Sequence, residues 1–352
     1  MSSNRAAILL IADPGAPAAI AERVSGSLPE VLPDAPSGCG RWQVSVRRQA
    51  ISVDEDTAMA DIIKAVAPDD EAADIVVYVT DLPRRQGTTP VVADISTRDR
   101  FAVISVPALG AVSIEHRLKA VVQSVYSEMT HSAKDREAPV PRATRIVDGD
   151  VVHYVSSSGL QRVRLLAGMV YANRPWRLVT GMSKVMMAAF ATGAVSLAYP
   201  TMWQLSSTMG PWRLSAATIL TSVAMVSWLI VEHGLWERPK GSVARDRAVL
   251  YNASTVITLA VGVVVFHAAL FLLLLLTAWW TLPPQLVGQS IGGPVGLPAL
   301  LLMAWLVAAV ATLGGALGSG MEDDDAVKAA AYGARQRKRF EDQRGKVSPH
   351  SG

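Results

Sequence analysis

Four stretches in the second half of the chain, at about 185–203, 214–231, 253–280 and 295–317, are almost free of charge. Each is long enough to cross a hydrocarbon layer of about 30 Å, which takes roughly 20 residues at helical rise. A core helix of a soluble protein would carry a polar stripe at helical period, and these stretches carry none. Only 18% of the 352 residues are charged, against about a quarter in a soluble domain. The shortage lies between residues 185 and 320, whereas residues 1–150 carry charges throughout. The sequence therefore predicts a soluble half joined to an all-α four-helix transmembrane bundle over 181–320.

Lysine and arginine in the short flanks predict an orientation, because cytosolic segments collect them. Arg174, Arg177 and Lys184 precede the first stretch, and only Arg213 separates the first from the second. Arg238, Lys240, Arg245 and Arg247 fill the next gap, none stands between the third and fourth, and Arg335, Arg337, Lys338 and Arg339 follow the last. This alternation predicts a multi-pass protein of the cell membrane with both termini cytosolic. Trp176, Trp203, Trp212, Trp236, Trp279 and Trp280 fall near span ends, where an amphipathic ring prefers the headgroup region. The apolar run Ala6–Ala12 is too short for a secretory signal and reads as a buried strand.

Residues 1–131 alternate strand and helix patterns. Strands are expected at Ala6–Ala12, Trp42–Arg47 and Ile75–Thr80, with a hairpin of Val91–Ser96 and Phe101–Val106. Helices are expected at about 16–28, 57–66 and 112–130. Near-continuous apolar strands alternating with helices point to a Rossmann-like α/β domain with a mostly parallel sheet covered on both faces. Ligands of such sheets bind beyond the carboxyl ends of the strands. Asp13, Gly15, Asp81, Arg84 and Arg85 stand there, so these five are the candidate ligand-binding residues. An anion would suit the two arginines and the helix start after Gly15. Asp-Pro-Gly is equally a turn former, and an aspartate before a helix equally a cap.

No Gly-x-Gly-x-x-Gly, phosphate-loop or Gly-x-Ser-x-Gly pattern occurs, so no cofactor is implied and no catalytic residue is named. A single cysteine, Cys39, leaves no multi-cysteine metal site and no disulfide framework. It reads as an incidental loop thiol. The formal net charge of +3 gives no reason to expect nucleic acid as a partner.

Residues 132–150 are rich in charge and proline and read as a linker. Val151–Val155 has the pattern of a short strand. The helical pattern of Leu160–Tyr171 puts Leu160, Val163, Leu166, Ala167 and Val170 on one face, with Arg162 and Arg164 off it. Together with Arg174, Trp176 and Arg177 it predicts a juxtamembrane helix lying on an anionic inner leaflet; the alternative is a helix packed on the soluble domain. The tail, 321–352, opens with Glu322–Asp325 and closes on the basic cluster at 335–339, as a solvated helix with a favourable dipole would. His267 is the one ionisable side chain well inside a predicted span. Such a group is either a proton relay or a structural hydrogen bond to a neighbouring hydroxyl. Small residues around Gly314 and Gly315 favour tight helix packing or a homo-oligomer.

The segments IADPG, TDLPRR, SVPALG and ANRPWRLVTGMS resemble an actinobacterial family of membrane proteins with an N-terminal α/β domain and four transmembrane helices. The likeness covers most of the chain. Some members carry a folate-dehydrogenase label, for which this sequence holds no folate or nicotinamide motif, so the resemblance implies an architecture and no activity. Three functions stay open. The first is a sensor or assembly module whose cytosolic domain binds a ligand or protein partner. The second is a membrane-tethered enzyme acting on an anionic substrate with Asp13 or Asp81 as acid, base or metal ligand. The third is a small transporter using His267.

Overall fold

The computed structural model describes residues 6–33, 41–51, 53, 57–66, 73–87, 89–130, 140, 143–157, 159–238 and 243–318. Cys39, Lys240 and the whole charged tail lie outside them. The chain divides between Asn173 and Arg174 into two compact units.

The first unit is built on one mixed sheet of eight strands. They are β1 (Ala7–Ala12), β2 (Gln43–Arg48), β3 (Ile75–Thr80), β4 (Arg85–Gln86), β5 (Thr89–Ser96), β6 (Phe101–Ser105), β7 (Ala143–Asp148) and β8 (Val151–Ser156). The order is β2-β1-β3-β6-β5-β8-β7, with β4 paired to β5. The first four strands in this order run parallel; β5, β8 and β7 join antiparallel. The helices are α1 (Ala16–Ser25), α2 (Leu28–Val31), α3 (Met59–Val66), α4 (Val106–Leu109), α5 (Ile114–Thr130) and α6 (Gln161–Asn173). Helix α3 covers one face through Ile62 and Val66, which pack on Leu9, Ile11, Tyr78, Phe101 and Val103. Helices α1 and α5 cover the other. Coverage of both faces is why β3 is buried at every position.

Two expectations for the joint are corrected. The stretch read as a linker up to residue 150 contains β7, which pairs with β8 along its whole length. The sheet therefore extends past residue 131, and the compact unit reaches Asn173. Helix α6 buries Leu165, Gly168, Met169 and Ala172, while Leu160 and Val163 of the predicted apolar face stay exposed. It packs on α4 so closely that a Cβ on Gly168 would lie 2.1 Å from the Pro107 carbonyl oxygen. Arg164 is part of this packing, since its Nε donates to the Ala108 carbonyl (3.1 Å). Arg117 of α5 donates to the Leu109 carbonyl. The two cations close the carboxyl end of a one-turn helix, where free carbonyls concentrate negative charge.

The second unit contains α7 (Arg177–Gly181), α8 (Ser183–Leu197), α9 (Pro200–Thr208), α10 (Pro211–Glu232), α11 (Val243–Thr281), α12 (Pro284–Ile291) and α13 (Leu297–Gly318). Three helices are long and apolar enough to cross a membrane: Pro211–Glu232, Arg245–Thr281 and Leu297–Gly315. Ile219, Leu220, Val264, Leu272 and Leu276 on their outer sides are exposed. A soluble monomer rarely shows so continuous an apolar surface. This is a membrane protein.

The first predicted stretch departs from expectation. It is not one straight helix from 185 to 203: α8 ends at Leu197 and α9 leaves at 89°. Pro200 forces the break. Tyr199 before it is extended (φ −90°, ψ 120°), since proline disfavours the helical region for the preceding residue. The Trp203 indole then donates to the Leu197 carbonyl at 2.7 Å, closing the end of α8. With 15 residues, α8 spans only about 22 Å at 1.5 Å per residue.

Helix α13 packs against α8, α10 and α11. Small residues let it approach: Gly315 faces Ala189 and Val185, and Gly193 of α8 faces Ala311 and Leu274. Trp305 of α13 donates to the Thr218 hydroxyl of α10 at 2.9 Å. Asn252 of α11 holds the α10–α11 turn by accepting from the Glu237 amide (2.9 Å) and donating to its carbonyl (3.0 Å).

Gly168→Ala is expected to lower stability by about 1–3 kcal/mol, the usual cost of overpacking a tight contact. Gly26→Ala, with nothing within 4 Å of the new Cβ, is the control expected to stay near neutral. Thermal unfolding of the detergent-solubilised chain checks both; equal melting temperatures for the two variants would refute the close α4–α6 contact.

Candidate functional site

The carboxyl ends of the parallel strands bring Asp13 and Asp81 together, but their contact runs through the backbone. The Asp13 side chain is buried. Its Oδ1 accepts from the Tyr78 hydroxyl at 2.8 Å and its Oδ2 from the Asp81 amide at 3.3 Å. Asp13 thus ties the end of β1 to that of β3. It is not the cap of α1: Gly15 holds that position with φ 114°, a conformation glycine adopts readily. Asp81 is half-buried. Arg85 sits half-buried in the short β4, opposite Pro90 of β5.

Arg84 turns away from the crest and into the sheet. Its Nε donates to Asp94 Oδ2 at 2.5 Å, and its two terminal nitrogens reach the Thr57 carbonyl at 3.2 and 3.3 Å. Its amide meets the Ser105 hydroxyl, which donates to the Leu82 carbonyl at 2.7 Å. An arginine expected to greet an anion is committed to a buried carboxylate of its own domain.

Asp94 in turn holds His153. The two are directly opposite on β5 and β8, and His153 Nδ1 lies 2.6 Å from Asp94 Oδ1. The Asp94 side chain is 3% exposed and that of His153 20%. The result is a line from the Thr57 carbonyl through Arg84 and Asp94 to an imidazole that reaches the surface. Neither Asp94 nor His153 was singled out from sequence. The signal was there: each is the one residue able to carry charge near neutral pH in a largely apolar strand, VVADIS and VVHYVS, and antiparallel pairing sets them side by side.

On the opposite face a third buried carboxylate, Glu128 of α5, accepts from Arg145 Nε (2.7 Å) and the Tyr154 hydroxyl (2.8 Å). It fastens the β7–β8 hairpin to α5. Of the predicted membrane-facing residues, Arg162, Trp176 and Arg177 are exposed and Arg174 is half-buried. His267 Nδ1 lies 3.0 Å from the Thr312 hydroxyl, which donates to the Ala308 carbonyl at 2.7 Å. The hydroxyl proton being used, the imidazole supplies the other one.

No family model, curated protein or solved structure matches this chain. Chemistry must be read from the geometry alone. Among the described residues no group of three or more His, Cys, Asp or Glu could hold a metal ion. The arrangement best suited to moving a proton is the His153–Asp94 pair. The hydrogen bond to Asp94 raises the imidazole above its ordinary value, against the opposing effect of burial. The charge of Asp148 adds to the rise and that of Arg84 subtracts from it.

A raised folded-state value stabilises the fold fully below the unfolded value, about 6.5 for histidine, and the contribution is lost as pH climbs through the folded value. The melting-temperature difference between the natural chain and His153→Gln should therefore shrink as pH rises above 6.5. A difference independent of pH would refute the pairing. Asp94→Asn strands the Arg84 guanidinium in a buried place and is expected to cost about 3–5 kcal/mol, read in the same assay.

Proposed function

We infer that this chain is a multi-pass protein of the cell membrane whose α/β unit is a ligand- or partner-binding module at the inner face, serving as a sensor or assembly scaffold. The observation that carries this reading is the internal commitment of the crest. Each carboxylate oxygen of Asp13 accepts a hydrogen bond, from Tyr78 and the Asp81 amide, and Arg84 is held by Asp94 and Thr57. Residues that an enzyme would aim at an anionic substrate are thus used in holding the fold. Counting the bent pair α8–α9 as the first crossing gives four spans. Arg174, Arg177 and Lys184 then share a side with Arg238 and Arg245, which favours both termini in the cytosol. A protein partner or a second copy fits this reading better than a phosphate-bearing metabolite.

One observation favours a tethered enzyme as the second reading. His153 has Nδ1 fixed by a buried carboxylate and its ring partly open, the arrangement of a general base. A transporter built on His267 draws less support. Its bond to Thr312 joins α11 to α13 and accounts for the residue as packing.

Two experiments decide. In a Cys39→Ser background, Gln285→Cys on α12 is expected to react with a membrane-impermeant maleimide in intact cells, and Arg98→Cys in the α/β unit only after permeabilisation. The opposite pattern would invert the proposed orientation. Thermal-shift screening of the full chain against nucleotides and phosphorylated metabolites is expected to give no stabilisation. A rise in melting temperature with any of them would restore a small-anion site at the crest.

A further inference from the structure

At the end of the second unit where α10 and α13 begin and α11 finishes, the chain builds a half-open chamber of about 450 Å³. This is within the usual size range of ligand pockets. Helix α9, turned aside by the break at Pro200, supplies Trp203, Ser206 and Ser207. Helix α13 supplies Ala299, Leu302 and Met303, and residues 294–296 close a third side. Those residues can turn over the chamber because α12 stops at Gly292, whose φ of 69° is left-handed. α9 packs against both α12 and α13, so the walls belong to one packed assembly.

The side-chain donors in these walls are already bonded to backbone carbonyls of α8 and α9. The Trp203 indole donates to the Leu197 carbonyl (2.7 Å), the Ser206 hydroxyl to the Trp203 carbonyl (2.8 Å) and the Ser207 hydroxyl to the Gln204 carbonyl (2.8 Å). No charged residue lines the chamber. An anion would find no cation, and a polar ligand would find no side-chain donor left over. Ordered water needs two to four polar partners, and the lining side chains offer only spare hydroxyl lone pairs. The chemistry that matches is hydrocarbon.

We propose that this chamber is a binding site for one acyl chain of a membrane lipid. Lipid is the medium around the exposed apolar sides of α10, α11 and α13, so its chains are the apolar molecules at highest local concentration. Leu205 on α9 and Trp212 at the start of α10, close in sequence to the lining residues Ser206 and Ser207, are exposed apolar side chains. The proposal rests on the membrane reading of this unit.

The test uses the full chain in lipid nanodiscs doped with a phospholipid carrying a diazirine in its acyl chain, with crosslinks mapped by peptide mass spectrometry. Labelling is expected to concentrate in peptides containing residues 203–207 and 299–303, above that of the exposed belt around Leu272 and Leu276. Ser207→Trp, at an exposed position, and Ala299→Leu, inside the chamber, should each abolish the excess and leave the belt labelling unchanged. Uniform labelling, or an excess that survives both substitutions, overturns the acyl-chain site alone. Failure of the chain to enter the discs overturns the membrane reading and this site with it.

Discussion

A carboxylate taken out of water must be given partners, because its hydration is lost and only close cations or donors replace it. The α/β unit is fastened at three such points. Asp13 joins the ends of β1 and β3, Asp94 joins β5, β8 and the turn after β3, and Glu128 joins α5 to the terminal hairpin. Each carboxylate bridges segments far apart in sequence, so no one of them is satisfied until several strands are in register. The antiparallel half of the sheet depends on the second and third of these most. Without Glu128 and Asp94, β7 and β8 would keep only their backbone bonds and the apolar packing of Val152, Tyr154 and Val155.

The strand–helix alternation up to residue 130 was readable because its cause is local: continuous β-branched runs, turn residues between them, and the helical spacing of Ile62, Ile63 and Val66 in α3. The hairpin of β5 and β6 was readable for the same reason. What escaped was set by distance along the chain. Arg84 looks like a surface residue in TDLPRR, and only the arrival of Asp94 ten positions later draws it inward. The apolar face of α6 was misjudged because Gly168 and Ala172 carry little hydrophobic signal; their value is in being small beside Pro107. Arg164 suits a lipid surface by its charge and its place off the apolar face of Leu160–Tyr171, yet the fold gives it the carbonyl end of α4.

In the second unit hydropathy located the apolar helices but said nothing of where one would bend. Pro200 was in plain view within an apolar run. Prolines inside membrane helices are often tolerated where neighbours supply new partners. Here the freed carbonyl of Leu197 is answered by Trp203, four residues into the next helix, and the chain turns aside instead of continuing. The same indole closes a helix and walls a chamber, so the bend and the chamber share one support.

The contact between Gly168 and Pro107 has a mechanical side. Side chains between packed helices act as compliant spacers, since rotamers can shift to absorb a small displacement. Where Gly168 meets Pro107 there is no side-chain spacer, only backbone on backbone. Helix α6 is the last element of the α/β unit before the chain passes to Arg174. Tension or torsion arriving along the polypeptide at Asn173 is therefore delivered with little slack to α4, and through it to the turn at the carboxyl end of β6, the same rim at which Asp13 and Arg84 are anchored.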